Sequence, residues 1–219
     1  MLPFSREQFF ELFAAYNSAT WPAAVVAYPL ALAALLAAWR AGPRAGRIVA
    51  AVLALMWGWV GIAYHGLHFA AINPAARLFA AAFVIQAALF AWHAWNGRGL
   101  AFGARSPLRA VSGGAMFVYS LVLYPAIGLA AGERYPALPL FGVAPCPLLI
   151  FTFGLMVWAT LARWWLWIVP LLWSLVGGSA AVLLAVPQDW ALPLSALLVL
   201  GVAWFDRSGR RTAEPRPGG

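Results

Sequence analysis

Lysine is missing from this 219-residue chain, in which all fourteen basic residues are arginine. That absence removes chemistries that need a side-chain amine: a retinal Schiff base, a pyridoxal phosphate aldimine and the Walker A phosphate loop. Cysteine is nearly missing. Cys146 stands alone, which excludes an intramolecular disulfide and the paired-cysteine zinc and redox motifs. Charge is scarce too, at 9% of residues against 64% hydrophobic. A water-soluble domain of this length would carry a grossly apolar surface at that ratio, so the solvent for most of the chain is lipid. The net charge of +8 sits beside apolar runs, where anionic headgroups attract it. Without a basic groove or an RNA-binding motif, nucleic acid is not expected as a partner.

What is present is a series of apolar runs separated by arginine clusters. Residues 1–20 predict a short amphipathic helix, with Ser5 as cap, Gln8 three residues on, and Phe9, Leu12, Phe13 and Tyr16 in one stripe. Such a helix suits either the headgroup region or the mouth of a bundle. No basic start followed by an apolar core and a small-residue cleavage site opens the chain, so its amino terminus is expected to be retained. Seven spans follow, near Pro22–Trp39, Ile48–Tyr64, Ala76–Trp95, Ala110–Ala130, Pro147–Arg163, Trp164–Val186 and Trp190–Phe205. Pro125 is expected to kink the fourth.

Arg40, Arg44, Arg47, Arg98, Arg105, Arg109, Arg163 and the tail arginines fall on one side of this alternation, leaving Arg6, Arg77 and Arg134 on the other. The rich side is expected to be cytoplasmic, which puts the amino terminus outside. The fold class is therefore all-α: a polytopic transmembrane bundle in a single domain over residues 1–206. The tail, 207–219, has no apolar periodicity and is expected to be disordered in the cytoplasm.

Chemistry gathers at the outer end. His65 and His68 are three apart and would share one helical face if the second span runs that far. They are two metal-ligand candidates, or two amphipathic rings at the lipid boundary. His93 lies a full span away, so a three-histidine zinc centre is not expected. Cys146, between Pro145 and Pro147, opens the fifth span, where a helix dipole favours a thiolate able to bind a soft or transition metal or to attack an electrophile. Four helix amino termini and Arg134 would welcome an anionic group there. Asp189 reads as the cap of the last span. No Asp, Glu or Arg stands at a predicted span centre, which disfavours a carboxylate proton relay or a voltage sensor.

The segments Leu2-Pro3-Phe4-Ser5-Arg6-Glu7-Gln8-Phe9, Ile72-Asn73-Pro74-Ala75-Ala76, Leu123-Tyr124-Pro125, Arg134-Tyr135-Pro136 and Pro145-Cys146-Pro147 with Ile150-Phe151-Thr152-Phe153-Gly154 resemble a family of small bacterial polytopic membrane proteins catalogued as a domain of unknown function. The resemblance spans most of the chain and implies no activity. It directs attention to the outward end.

Three functions fit these features. The leading expectation is binding or permeation of a small solute or soft metal at an outer vestibule built from His65, His68, Asn73, Arg134, Tyr135 and Cys146, in a multi-pass protein of the bacterial cytoplasmic membrane. The metal ligands would come from His65, His68 and Cys146. The alternatives are an accessory or anchor subunit, homo-oligomeric or part of a larger membrane complex, and an intramembrane enzyme with Cys146 as nucleophile and His65 as base.

Overall fold

The computed structural model describes residues 2–213, with side chains as far as 205 apart from that of residue 180. The architecture is helical, as composition and periodicity require, apart from one short strand pair. Helix α1 (Arg6–Ala19) begins in the expected capping box: the Ser5 hydroxyl accepts from Gln8 N–H at 3.3 Å, and the Gln8 carbonyl accepts from Ser5 N–H at 2.8 Å. Its apolar stripe packs on the mouth of the bundle, while Glu7 and Glu11 stay exposed. Phe13 stacks on Tyr64 with ring centroids 5.1 Å apart, and Asn17 donates to the carbonyl of Pro136 at 2.6 Å. Burial pushes the Tyr16 phenol up, so it stays a donor to the Val143 carbonyl.

Among the described residues, six helical stretches are long and apolar enough to cross a membrane. They are built on α2 (Ala23–Arg40), α3 (Ala45–Trp59) with its extension to Ala71, α4 (Ala76–Asn96), α5 (Pro107–Val118) with α6 (Tyr124–Ala130), α8 (Ile168–Leu183) and α9 (Ala191–Ala213). Their outer faces present Leu, Ile, Val and Trp, as lipid demands. The molecule is therefore a multi-pass membrane protein. Helix α9 runs on to Ala213, and the rest of the expected tail, 214–219, lies outside the described residues.

The predicted fifth span differs. Helix α7 (Pro145–Trp158) has 14 residues, about 21 Å at ~1.5 Å per residue, short of a hydrocarbon core of ~30 Å. All of its residues are buried, against α2, α3, α5, α8 and α9. Protein, not lipid, surrounds it, and so its ends need not reach water. Beyond Trp158 the chain extends into β2 (Ala159–Ala162), antiparallel to β1 (Leu100–Phe102). The apolar run in the sequence is continuous there, so no periodicity marks the change, and the partner strand comes from far upstream.

Arginines explain how the helix ends at this side are satisfied. Carbonyls of the last turn lack intrahelical donors. Arg105 donates to Ala38 at the end of α2, Arg47 to Ala94 at the end of α4, and Arg109 to Val157 and Ala159 around the end of α7. At the opposite end Arg6 donates to Leu184 just past α8, and Arg134 to Leu129 in α6. Charged donors at helix carboxyl ends also suit the macrodipole.

Two wide turns interrupt the long helices. Val60–His68 is a π-helix continuing α3, and Tyr119–Leu123 is another between α5 and α6. The second ends at Leu123, two residues before Pro125, which has no N–H to give, so the fourth span contains an i→i+5 stretch just ahead of the proline.

Candidate functional site

Where α7 begins, α3, α6, α8 and the turn before α9 converge on Cys146. Ala144 is the extended cap and Pro145 the first helical residue, where a missing N–H costs nothing. The buried thiol lies beside the carboxylate of Asp189, which accepts from the Tyr124 hydroxyl at 2.5 Å. Asp189, expected as a helix cap, thus commits one oxygen to a phenol on α6. Next to it the Gln188 amide donates to Glu133 at 2.8 Å, while the Gln188 carbonyl accepts from the Tyr119 hydroxyl at 2.9 Å. Glu133 is aimed inward because exposed Arg134 ties down the carbonyls of Leu129 and Glu133.

Cys146, Asp189 and Tyr124 edge one side of a chamber of about 120 Å³. Tyr64 and Trp173 line another, and Phe4, Phe9 and Phe13 of the amino-terminal segment close it. Trp173 is 8% exposed, and its indole N–H faces the Cys146 thiol without finding an acceptor in hydrogen-bonding geometry.

The expected site residues divide. Cys146 and Asn73 line the chamber, Asn73 also accepting from Ala75 N–H to start α4. His65 stands behind the wall, fully buried, its ring edge-on to Trp173 at 4.8 Å and to Phe83 at 4.6 Å. Neither of its nitrogens has a partner, so the thiol is not within its reach, and the basic group beside Cys146 is Asp189. His68 points elsewhere: its Nδ1 meets the Ala63 carbonyl at 2.7 Å and its ring lies against Tyr16. The two imidazoles part because a π-helix takes more residues per turn than the 3.6 that would align positions three apart. Tyr135 is exposed on a separate groove beside Asn17 and Tyr28. His93 sits at the far end, accepting from the Trp165 indole at 3.1 Å. Among the described residues no group of three or more His, Cys, Asp or Glu side chains is disposed to hold a metal ion.

The sequence did carry a signal for what was missed. Glu133 and Asp189 are the only carboxylates between residues 12 and 205, and both adjoin span ends. A charge in so apolar a chain needs a reason.

Burial pushes the Glu133 carboxyl above the usual carboxylate range, opposed by the Gln188 amide and the charge of Arg6. An acid with a raised folded-state pKa destabilises the fold when ionised. Stability relative to Glu133→Gln is therefore full below the ordinary value of 4.5 and is lost as pH rises from there through the raised value. Melting of the two proteins in nanodiscs between about pH 4 and 8 checks this. A flat or rising difference would mean the carboxylate is already well solvated.

The bundle and chamber together define a multi-pass helical membrane protein with a largely apolar pocket that carries a thiol and a carboxylate on its wall. The chain belongs to DUF6064, a family of unknown function whose model matches residues 6–213, so the likeness to an uncharacterised family holds over nearly its whole length. No curated protein and no solved structure matches it.

Proposed function

We propose that this is a seven-span protein of the bacterial cytoplasmic membrane, amino terminus outside, that binds a small solute in the chamber at its outer end. The observation that carries the proposal is the chamber itself: about 120 Å³, with the buried thiol and carboxylate on its wall. A cavity of ~150 Å³ in an apolar core holds benzene, so the occupant has about five non-hydrogen atoms or fewer. The orientation rests on arginine bias, and the seventh crossing on α7, whose two ends meet opposite ends of the bundle. The binding set is narrower than the vestibule suggested by sequence. Cys146 and Asn73 face the solute and His65 backs Trp173, whereas His68, Arg134 and Tyr135 lie outside the chamber.

The test uses Cys146 as reporter. Methyl methanethiosulfonate applied to intact spheroplasts should modify it, whereas a bulky polyethylene-glycol maleimide should react only after denaturation. If the small reagent also waits for denaturation, the chamber is a sealed core and the proposal fails. Reporter fusions locating both chain ends in one compartment would overturn the seven-span orientation.

A further inference from the structure

Two groups on the chamber wall lack what a buried group needs. The first is the Asp189 carboxylate. The groups that bear on it are Tyr124, Cys146 and Glu133, none of them a cation. Arg6 is engaged elsewhere: its Nε donates to the Leu184 carbonyl, its guanidinium lies 4.7 Å over the Phe10 ring, and its charge bears on Glu133. A carboxylate held in a low-dielectric pocket without a counter-charge favours a cationic occupant.

The second is the indole N–H of Trp173, more than nine-tenths buried and without an acceptor. A Cβ placed on Gly177 would lie 2.6 Å from Leu192 Cδ2, 3.4 Å from this nitrogen and 3.5 Å from the Cys146 sulfur, so only a glycine fits here, and Trp173, Gly177 and Cys146 together line the chamber. An unsatisfied buried donor favours an occupant carrying an oxygen. The wall also includes the rings of Tyr64, Phe69 and Phe79, and aromatic surfaces attract ammonium groups.

We propose that the chamber takes a short primary ammonium ion that also carries a hydroxyl or carbonyl oxygen, an amino alcohol of the size of 2-aminoethanol. The ammonium meets Asp189 and the oxygen accepts from Trp173. This rests on the solute-binding reading of the chamber.

The test compares three compounds of equal heavy-atom count on the full-length protein in phosphatidylglycerol nanodiscs, which contain no amine headgroup. By calorimetric titration 2-aminoethanol should bind about tenfold more tightly than propylamine, which lacks the oxygen, and by a larger factor than 1,2-ethanediol, which lacks the charge. Asp189→Asn should abolish the preference over ethanediol, and Trp173→Phe the preference over propylamine. Because the comparison is made within the wild-type protein, a variant that fails to fold does not blunt it.

Equal or tighter binding of 1,2-ethanediol overturns the proposal. So does a failure of all three compounds to bind while methyl methanethiosulfonate still reaches Cys146, an outcome that leaves the chamber reading intact. If the reagent does not reach Cys146 either, that reading falls as well. Repeating the titration in phosphatidylethanolamine nanodiscs separates the sources of the chemistry. Unchanged affinity assigns it to a free solute, and competition assigns it to the lipid headgroup.

Discussion

Replacing Gly154 with leucine is expected to leave no folded protein, and even Gly154→Ala should lower stability measurably. Helices α5 and α7 touch through paired glycines. A Cβ on Gly154 would fall 2.5 Å from the Phe117 ring and 3.1 Å from the Gly113 carbonyl, and one on Gly113 would fall 2.3 Å from the Trp158 ring and 2.9 Å from the Gly154 carbonyl. Alanine in a helix gains about 1 kcal/mol over glycine, whereas overpacking a filled interior costs about 1–3 kcal/mol. The second wins here, because the obstacles include backbone oxygens and a Phe117 ring already wedged against Phe151 and Trp158. Close approach through small residues is how helices associate where lipid offers no hydrophobic incentive. Thermal unfolding in detergent measures the loss, with Gly114→Ala as control. That position has nothing within 4 Å and should show no loss. A stable, monodisperse Gly154→Leu protein would refute the α5–α7 contact.

Trp57→Ala should cost about 3–5 kcal/mol, the usual range for removing a buried aromatic. Trp57 is fully buried, its ring 4.6 Å from that of Phe83, and its indole donates to the Thr152 hydroxyl of α7 at 3.0 Å. Bilayer lipid cannot flow into the void, because protein encloses it on every side. Trp57→Phe keeps most of the ring and loses the hydrogen bond, so it should cost only ~1 kcal/mol. The ratio of the two losses, read from unfolding in nanodiscs, separates packing from hydrogen bonding. Equal losses would show that the indole N–H, not the ring, holds α3 to α7.

What could be read in the sequence was local. The Ser5–Gln8 box, the long apolar runs and the arginine clusters each announce themselves within a few residues, and each has its counterpart in the fold. The chamber is different, because its members meet from afar. Tyr124 and Asp189 are 65 positions apart, and nothing near either residue tells that a phenol will find that carboxylate. His65 and His68 show the opposite failure: their spacing is local, but it was interpreted with the wrong turn, and the π-helix turns one ring into the core and the other toward Tyr16. The fifth apolar run likewise hides a boundary. Near its end Ala159–Ala162 forms β2 against β1 and is not helical, a choice made by Leu100–Phe102 and not by the run itself.

The enclosure of α7 also sets an order of events during synthesis. When α7 leaves the ribosome, α2, α3 and α5 already exist, but α8 and α9 do not, so part of its surface must wait beside lipid or an insertion factor until the last two helices arrive. Asp189 emerges between those two helices, just ahead of α9. A nascent chain stalled before that point holds the phenol of Tyr124 without its acceptor, and so the pocket is completed only once the segment beyond α8 has been made.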